Sequence, residues 1–187
     1  MPLQIVSPSP AVSSTYQQSL LDFLGPHDPE VKLYHLPVGT LDLATLASGA
    51  ALDDVAPSGC RFFAAWPDGS VTSCEMTNPT LYGLAKFRNF VKGDFAVAAF
   101  SRIVEAEGLE SVQTGDFELH FLSIPGIHLE ALHIVCTGQG SDLILPVLSW
   151  DSQLATDAVL DAGTFLAQAR AIAAARLAHP TSDPLSC

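Results

Sequence analysis

One glutamate and two histidines are the residues in this chain best suited to chemistry, and they fall in two consecutive strand-like segments. Glu118 and His120 alternate with apolar residues in the first segment, and His133 lies in the second. If Pro125-Gly126 forms a two-residue turn, Glu118 lies opposite His133 and His120 shares their face of the sheet. A carboxylate beside two imidazoles can support acid–base catalysis or hold a divalent metal.

The same alternation also has a simpler interpretation. Polar residues must alternate with apolar ones on the wetter face of a half-exposed antiparallel sheet, whatever the function. In the register set by a two-residue turn, His120 faces Ala131, and His128 points away from His133. The opposite face then carries the apolar residues Phe117, Leu119, Phe121, Leu132 and Ile134. A turn of another length would change these pairings, so the cluster stays a hypothesis beside the simpler one.

A basic cluster is the second candidate, as a binding site for a small anion. It holds half of the chain's eight positive charges, interleaved with aromatic residues: Lys86, Arg88, Lys92 and Arg102. Guanidinium and ammonium groups bind carboxylates and phosphates. The aromatic residues recur at helical spacing, however, so an ordinary amphipathic helix with a solvated basic edge explains the pattern equally.

The four cysteines are widely spaced and form no CxxC pair. Cys60 and Cys74 fall on a predicted hairpin without lying in direct opposition, and no local base or cationic group would activate their thiols. Buried structural cysteine is therefore predicted for both, and for Cys136. We predict no cofactor and no bound metal.

Several common catalytic motifs do not occur in the sequence. It contains no GxGxxG, P-loop, GxSxG or HExxH pattern and no zinc-ribbon spacing. Nucleotide-dependent enzymes and serine hydrolases of the usual kinds are thereby disfavoured. Enzymatic activity stays undecided, and the sequence favours a non-enzymatic protein.

The elements that must position these residues predict an α+β fold with a mainly antiparallel sheet. Asp68-Gly69 between two strand-like runs predicts a hairpin over 61–76, because the turn needs a positive φ. Period-two alternation predicts a three-stranded meander over 116–148. A short strand is predicted at 31–36, and helices are predicted at 14–24, 40–51, 78–92, 95–107 and 154–178, the last being long and rich in alanine.

The order of these elements shows no internal repeat and no linker. One domain is therefore predicted over residues 1–187, with a loose N-terminal arm (about 1–12) and a loose C-terminal tail (about 179–187).

The composition restricts the class of partner. The formal net charge is −12, apolar residues make up 48% of the chain and charged residues only 15%. This charge repels phosphate backbones and anionic lipids, so we predict no nucleic-acid and no membrane partner. Few charged groups are available to cover the surface, which favours contact with another protein or a second copy. With no signal-peptide pattern and no apolar run long enough for a membrane span, the prediction is a cytoplasmic protein.

Two functional hypotheses follow from these patterns. The first is a non-enzymatic cytoplasmic interaction module that binds a protein partner or itself. The alternative is a small-molecule-binding or enzymatic domain that uses the polar face of the meander, with Glu118, His120 and His133 as the residues to probe first.

Overall fold

The computed structural model describes residues 3–4, 10, 13–14, 18, 30–78, 87–149, 151 and 154–179, with the side chains at 87–90 and 92 left out of the description. Within these ranges the chain has the predicted α+β fold. The strands of the sheet are β1 (Lys32–Thr40), β2 (Pro57–Ala65), β3 (Val71–Thr77), β4 (Phe87–Lys92), β5 (Phe117–Ile124), β6 (Leu129–Cys136), β7 (Leu143–Ser149) and β8 (Leu160–Asp161).

A single sheet contains all eight of these strands, in the order β4-β3-β2-β1-β5-β6-β7-β8. Neighbouring strands are antiparallel except β1 and β5, which run parallel over the pairs Val38–Phe121, Gly39–Leu122 and Thr40–Ser123. The sheet thus consists of two four-stranded antiparallel meanders, β1–β4 and β5–β8, joined side by side through one short parallel pair.

Among the described residues from 30 onward, the α-helices are α1 (Leu43–Ala47), α2 (Asp94–Gly108), α3 (Glu110–Thr114) and α4 (Ala162–Ala178). Side-chain caps fix where two of them begin: Asp42 accepts from the backbone N–H of Thr45, and Asp161 accepts from that of Thr164, both at 2.9 Å. None of the helices in these ranges is long and apolar enough to cross a lipid bilayer.

The sheet buries a hydrophobic core on each of its two faces. On one face α2 packs through Ala99 and Ile103 against odd-numbered β5 residues such as Leu119. On the other face α1 and α4 pack against even-numbered β5 residues such as Ile124, with Phe165 of α4 fully buried. The high apolar fraction of the chain follows from this arrangement, because both faces of the sheet are covered.

The hairpin predicted over 61–76 is confirmed. Its turn places Gly69 at φ +84°, and the side chain of Asp68 accepts from the backbone N–H of Ser70 at 2.8 Å. Cys60 lies opposite Met76 and Cys74 opposite Phe62, so the two cysteines are out of direct opposition as predicted.

Three of the predicted helices differ from the structure. Residues 87–92 form strand β4 and not the end of a helix, because their aromatic and β-branched residues pair with β3 across a bulge. The C-terminal helix begins at Ala162 and not at Leu154, because Asp161 caps it there and Leu160–Asp161 pair with β7. Helix α1 is only five residues long.

Parts of the predicted termini lie outside the described residues. In the N-terminal segment, Gln4 forms a parallel bridge with Glu118, and its backbone N–H donates to Phe117 O at 2.9 Å. The helix predicted at 14–24 has only residues 14 and 18 inside the described ranges, and the tail predicted at 179–187 has only residue 179.

Candidate functional site

The turn between β5 and β6 is longer than predicted. Pro125–Ile127 form one turn of 3-10 helix, and His128 follows in the left-handed region at φ 49°. The ladder therefore closes on the pair Ile124–Leu129, with four residues in the turn instead of two. His128 lies in this turn and not on a face of the ladder.

The longer turn moves the register by two residues. His120 lies directly opposite His133, and Glu118 lies opposite Val135, so the predicted pairs Glu118–His133 and His120–Ala131 are wrong. Because side chains alternate with a period of two, an even shift keeps the three polar residues on the same face.

The two imidazoles lie side by side on this face. The ring centroids of His120 and His133 are 6.2 Å apart, with an interplanar angle of 75°. Glu118 Oε2 lies 3.4 Å from His120 Nε2, a longer contact than an ordinary hydrogen bond. The side chain of Glu118 is 32% exposed and that of His120 26%, so this pair is accessible to solvent.

Asp142, which sequence patterns did not single out, is the closest partner of His133. Its Oδ2 lies 2.6 Å from His133 Nε2, and its Oδ1 accepts from the backbone N–H of Cys136 at 2.8 Å. Asp142 O also accepts from the N–H of Ala162, the first residue of α4, at 3.0 Å. The carboxylate is thus held by the backbone of β6 and points at the imidazole.

The surroundings of His133 shift the pKa of its imidazole. Burial lowers the pKa below its ordinary value, and the nearby imidazole of His120 lowers it further. The carboxylates of Asp142 and Asp53 act in the opposite direction, but burial is the largest effect. The surroundings of His133 therefore favour its neutral imidazole.

A cavity of about 270 Å³ opens beside the two histidines. Its polar side chains are Asp53, His120 and His133, and apolar residues supply most of the remaining wall. The lining residues are Gly39, Leu52, Asp53, Val55, Pro57, His120, Phe121, Leu122, His133 and Val135. A mostly apolar concave site with a few polar groups is the usual composition of a small-molecule site.

The cavity lies where β1 leaves its pairing with β2. The ladder between these strands shifts register between Val38 and Gly39, and from Val38 onward β1 also pairs with β5. The connection from α1 to β2 forms part of the cavity wall. Leu52 anchors its 3-10 turn in the core, and Val55 lies next to Gly39. Each meander therefore supplies one side of the cavity.

Gly39 permits the close approach of the connection between α1 and β2. A Cβ atom at position 39 would lie 2.7 Å from Cγ1 of Val55, which is too close for the present packing. We expect Gly39→Ala to displace Val55 and to lower the free energy of unfolding by about 1–3 kcal/mol. Chemical denaturation of the variant measures this loss.

Gly108→Ala is the matched control for the Gly39 substitution. A Cβ atom at Gly108 would meet nothing within 4 Å, and the residue ends helix α2, so alanine there is expected to be neutral or slightly stabilising. Gly39→Ala with Val55→Ala should recover stability relative to Gly39→Ala alone. Equal stability of the two glycine variants would contradict the proposed contact.

Metal binding by the histidine cluster was one possibility raised by the sequence. Across the part of the chain that the structure describes, no group of three or more histidine, cysteine or carboxylate side chains is arranged to hold a metal ion.

A second polar cluster, which the sequence patterns did not indicate, is buried on the opposite face of the sheet. Arg61 Nη2 donates to Glu75 Oε2 at 2.5 Å, and its Nη1 donates to Glu130 Oε2 at 3.1 Å. Ser123 Oγ donates to the second oxygen of Glu130 at 2.9 Å. The guanidinium carbon lies 4.1 Å from the ring centroid of Phe121. Two carboxylates thus share one buried cation.

Burial is the largest electrostatic effect on Glu130 in this Arg61 cluster. It raises the pKa of Glu130, and the attraction of Arg61 only partly offsets the effect. A sequence signal was available, because Arg61 begins the apolar run Arg61-Phe62-Phe63-Ala64-Ala65, and Glu75 faces it once the hairpin register is known. A charge in such a run needs a partner.

The predicted anion-binding residues are divided between two elements. Arg102 lies on α2 and pairs with Glu105 one turn along, so a carboxylate already neutralises its charge. Arg88 and Lys92 lie on β4, where their side chains are outside the description, and Lys86 is outside the described residues altogether. The anion site stays a prediction.

The cysteine thiols on the hairpin are poorly suited to chemistry. Burial raises the pKa of Cys60 and of Cys74 to about 12 in each case, so neither forms a thiolate near neutral pH. Cys136 is a free thiol at the end of β6 and is only half-buried, so the prediction of a buried cysteine is wrong at this position.

The cavity beside His120 and His133 is the candidate functional site, because it brings the sequence-predicted histidines together with Asp53 and Asp142. No protein-family model, curated protein or solved structure matches this chain.

Proposed function

We propose that this protein binds a small molecule in the cavity beside His120 and His133. The observation that carries the proposal is that these directly opposed histidines both line one cavity, of about 270 Å³. This volume is just below the range of about 300–1,000 Å³ that holds drug-sized ligands, so the expected ligand is smaller.

The charges around the cavity favour a neutral or cationic ligand. Asp53 lines the cavity, and the carboxylates of Glu118 and Asp142 lie behind the two imidazoles. The chain as a whole carries a formal net charge of −12. The negative charge around the cavity repels an anion. It attracts a small apolar molecule that carries a hydrogen-bond donor or an ammonium group.

Titration with three small probes of matched shape tests the proposal. Benzylamine, benzyl alcohol and benzoate are added separately to ¹⁵N-labelled protein, and the amide resonances of Gly39, Val55 and Val135 are followed. We expect saturable shifts with benzylamine, weaker ones with the alcohol and the weakest with benzoate. If none of the three probes moves these amides, the proposal is wrong.

A substitution that fills the cavity provides the second half of this test. Val135 is half-buried in the cavity wall, so Val135→Trp is expected to abolish the shifts by occupying the space. Val104 on α2 is 50% exposed, and Val104→Trp is the control that should leave binding unchanged. If both variants lose binding, or if neither does, the probe does not bind in the cavity beside His120 and His133.

The interaction module stays a prediction, and its main support is weaker than the sequence indicated. The apolar residues fill two cores, one on each face of the sheet, so a partner is not needed to account for them. Among the described residues, the large exposed apolar side chains are spread over several elements: Leu33, Val97, Val104, Leu148, Val159 and Leu177. The cytoplasmic location and the protein partner likewise stay predictions.

A further inference from the structure

A hydrogen-bonded chain runs from the backbone of β6 through Asp142 to the imidazole of His133. The N–H of Cys136 donates to Asp142 Oδ1 at 2.8 Å, and Asp142 Oδ2 lies 2.6 Å from His133 Nε2. Because a carboxylate only accepts hydrogen bonds, the neutral ring carries its proton on Nε2. Its Nδ1 then bears the lone pair that can take up a further proton.

The surroundings of His133 suit a base and not a resting cation. The side chain is 10% exposed, and its burial favours the neutral ring at pH 7. If the ring gains a proton, Asp142 is already in place to stabilise the imidazolium. An imidazole held in one tautomer by a carboxylate that is itself fixed by the backbone is the arrangement used in general base catalysis.

The cavity wall indicates which chemistry the base would perform. None of the ten described lining residues is a serine, threonine or cysteine, so the wall offers no hydroxyl or thiol nucleophile. His120 stands across from His133, with 6.2 Å between the ring centroids, so both imidazoles face the bound molecule from the same wall of the cavity. Proton transfer to and from a bound molecule therefore fits these residues better than covalent catalysis.

We infer, on the basis of the proposed small-molecule cavity, that His133 is a general base for a small, neutral carbon acid and that Asp142 is its positioning residue. His133 Nδ1 takes a proton from a C–H bond next to an electron-withdrawing group, and the electron pair of that bond stays on the substrate. Return of the proton to another atom of the substrate regenerates the neutral imidazole. The net reaction is an isomerisation, and no co-reactant is consumed.

5-Nitrobenzisoxazole is a suitable probe, because its ring opens when a base removes one C–H proton. The electron pair of this bond completes a nitrile, the N–O bond breaks, and a coloured phenolate is released. The proton on His133 then passes to water. Wild-type protein is expected to accelerate this reaction well above free imidazole at the same concentration.

The pH profile and two substitutions test the assigned roles. The rate should fall as pH falls through the pKa of His133, because the protonated ring is no longer a base. His133→Gln should lower the rate by roughly 10²–10⁴-fold. Asp142→Asn should lower the rate and move the profile to lower pH, because the charge that stabilises the imidazolium is lost. Val104→Ala, at an exposed position of α2, should change neither the rate nor the pH profile.

Binding of the probe is followed separately through the amide resonances of Gly39 and Val135. If the probe binds but reacts no faster than with free imidazole, the assignment of His133 as a general base is wrong, whereas the proposed binding cavity is not contradicted. Full activity in His133→Gln would overturn it as well. A probe that does not bind, together with failure of the amine and alcohol titrations, would instead contradict the proposed function.

Discussion

Arg61→Met is expected to lower the free energy of unfolding by about 3–5 kcal/mol, because the substitution leaves the buried carboxylate of Glu75 and the partly buried carboxylate of Glu130 without their shared cation. Arg61 is 6% exposed and Glu75 5%. Methionine fills a similar volume, so the loss reports mainly the charge and its hydrogen bonds. Urea denaturation followed by circular dichroism measures the difference.

Arg102→Met is the matched control for Arg61→Met. Arg102 pairs with Glu105 within α2; the side chain of Arg102 is 14% exposed and that of Glu105 39%, so loss of this partly exposed pair should cost at most about 1 kcal/mol. Adding Glu75→Gln and Glu130→Gln to Arg61→Met should recover much of the loss, since the uncompensated charges are removed. Equal losses from the two arginine substitutions would show that the Arg61 cluster contributes no special stability.

Phe165→Ala should also lower the free energy of unfolding by about 3–5 kcal/mol. Phe165 is fully buried and lies in the core that α4 forms with the sheet. Its loss removes apolar contact and leaves a cavity that α4 cannot close freely, because Arg170 and Arg176 bond the helix to carbonyl groups of neighbouring segments. Denaturant titration at constant pH measures the effect.

Leu177→Ala on the same helix is the control for Phe165→Ala. Leu177 is 49% exposed, and its truncation should change stability by no more than about 0.5 kcal/mol. The losses from Phe165→Ala and Arg61→Met should add, because the two residues lie in contacts on opposite faces of the sheet. If the double variant loses much less stability than the sum of the two single losses, the two cores are coupled.

The fold class could be predicted from local patterns because the strands that carry them pair with neighbours in sequence. The Asp68-Gly69 turn and the alternation from Phe117 onward each specify an antiparallel pair without knowledge of the rest of the chain. Strand β4 was missed for the opposite reason. Its apolar residues fit a helical period as well as a strand, and only pairing with β3 decides between them.

The candidate site was predicted in composition but not in geometry. Pro125-Gly126 indicated a turn, yet its length depends on Ile127 and His128 adopting 3-10 and left-handed conformations that the sequence pattern does not reveal. The shift by two residues brought His120 opposite His133 and kept Glu118 on their face only because it was even.

The partners of the two histidines could not be found by spacing. Asp142 follows the turn after β6, and Asp53 belongs to the connection before β2, so their positions depend on how separate segments pack. The same holds for Glu130, which joins Arg61 from the other meander. Long-range contacts of this kind have no period in the sequence and become visible only with the sheet order.

The parallel pair between β1 and β5 has a consequence for the folding pathway. Each meander can form from contacts between consecutive strands, whereas the Val38–Phe121 pairing must close a long stretch of chain at a larger entropic cost. We therefore expect the pairing between β1 and β5 to form late in folding. Gly39 lies on one side of it and the two histidines on the other, so the cavity exists only once both halves have docked. A ligand bound there would contact both meanders and would therefore stabilise only those molecules in which the two meanders have docked.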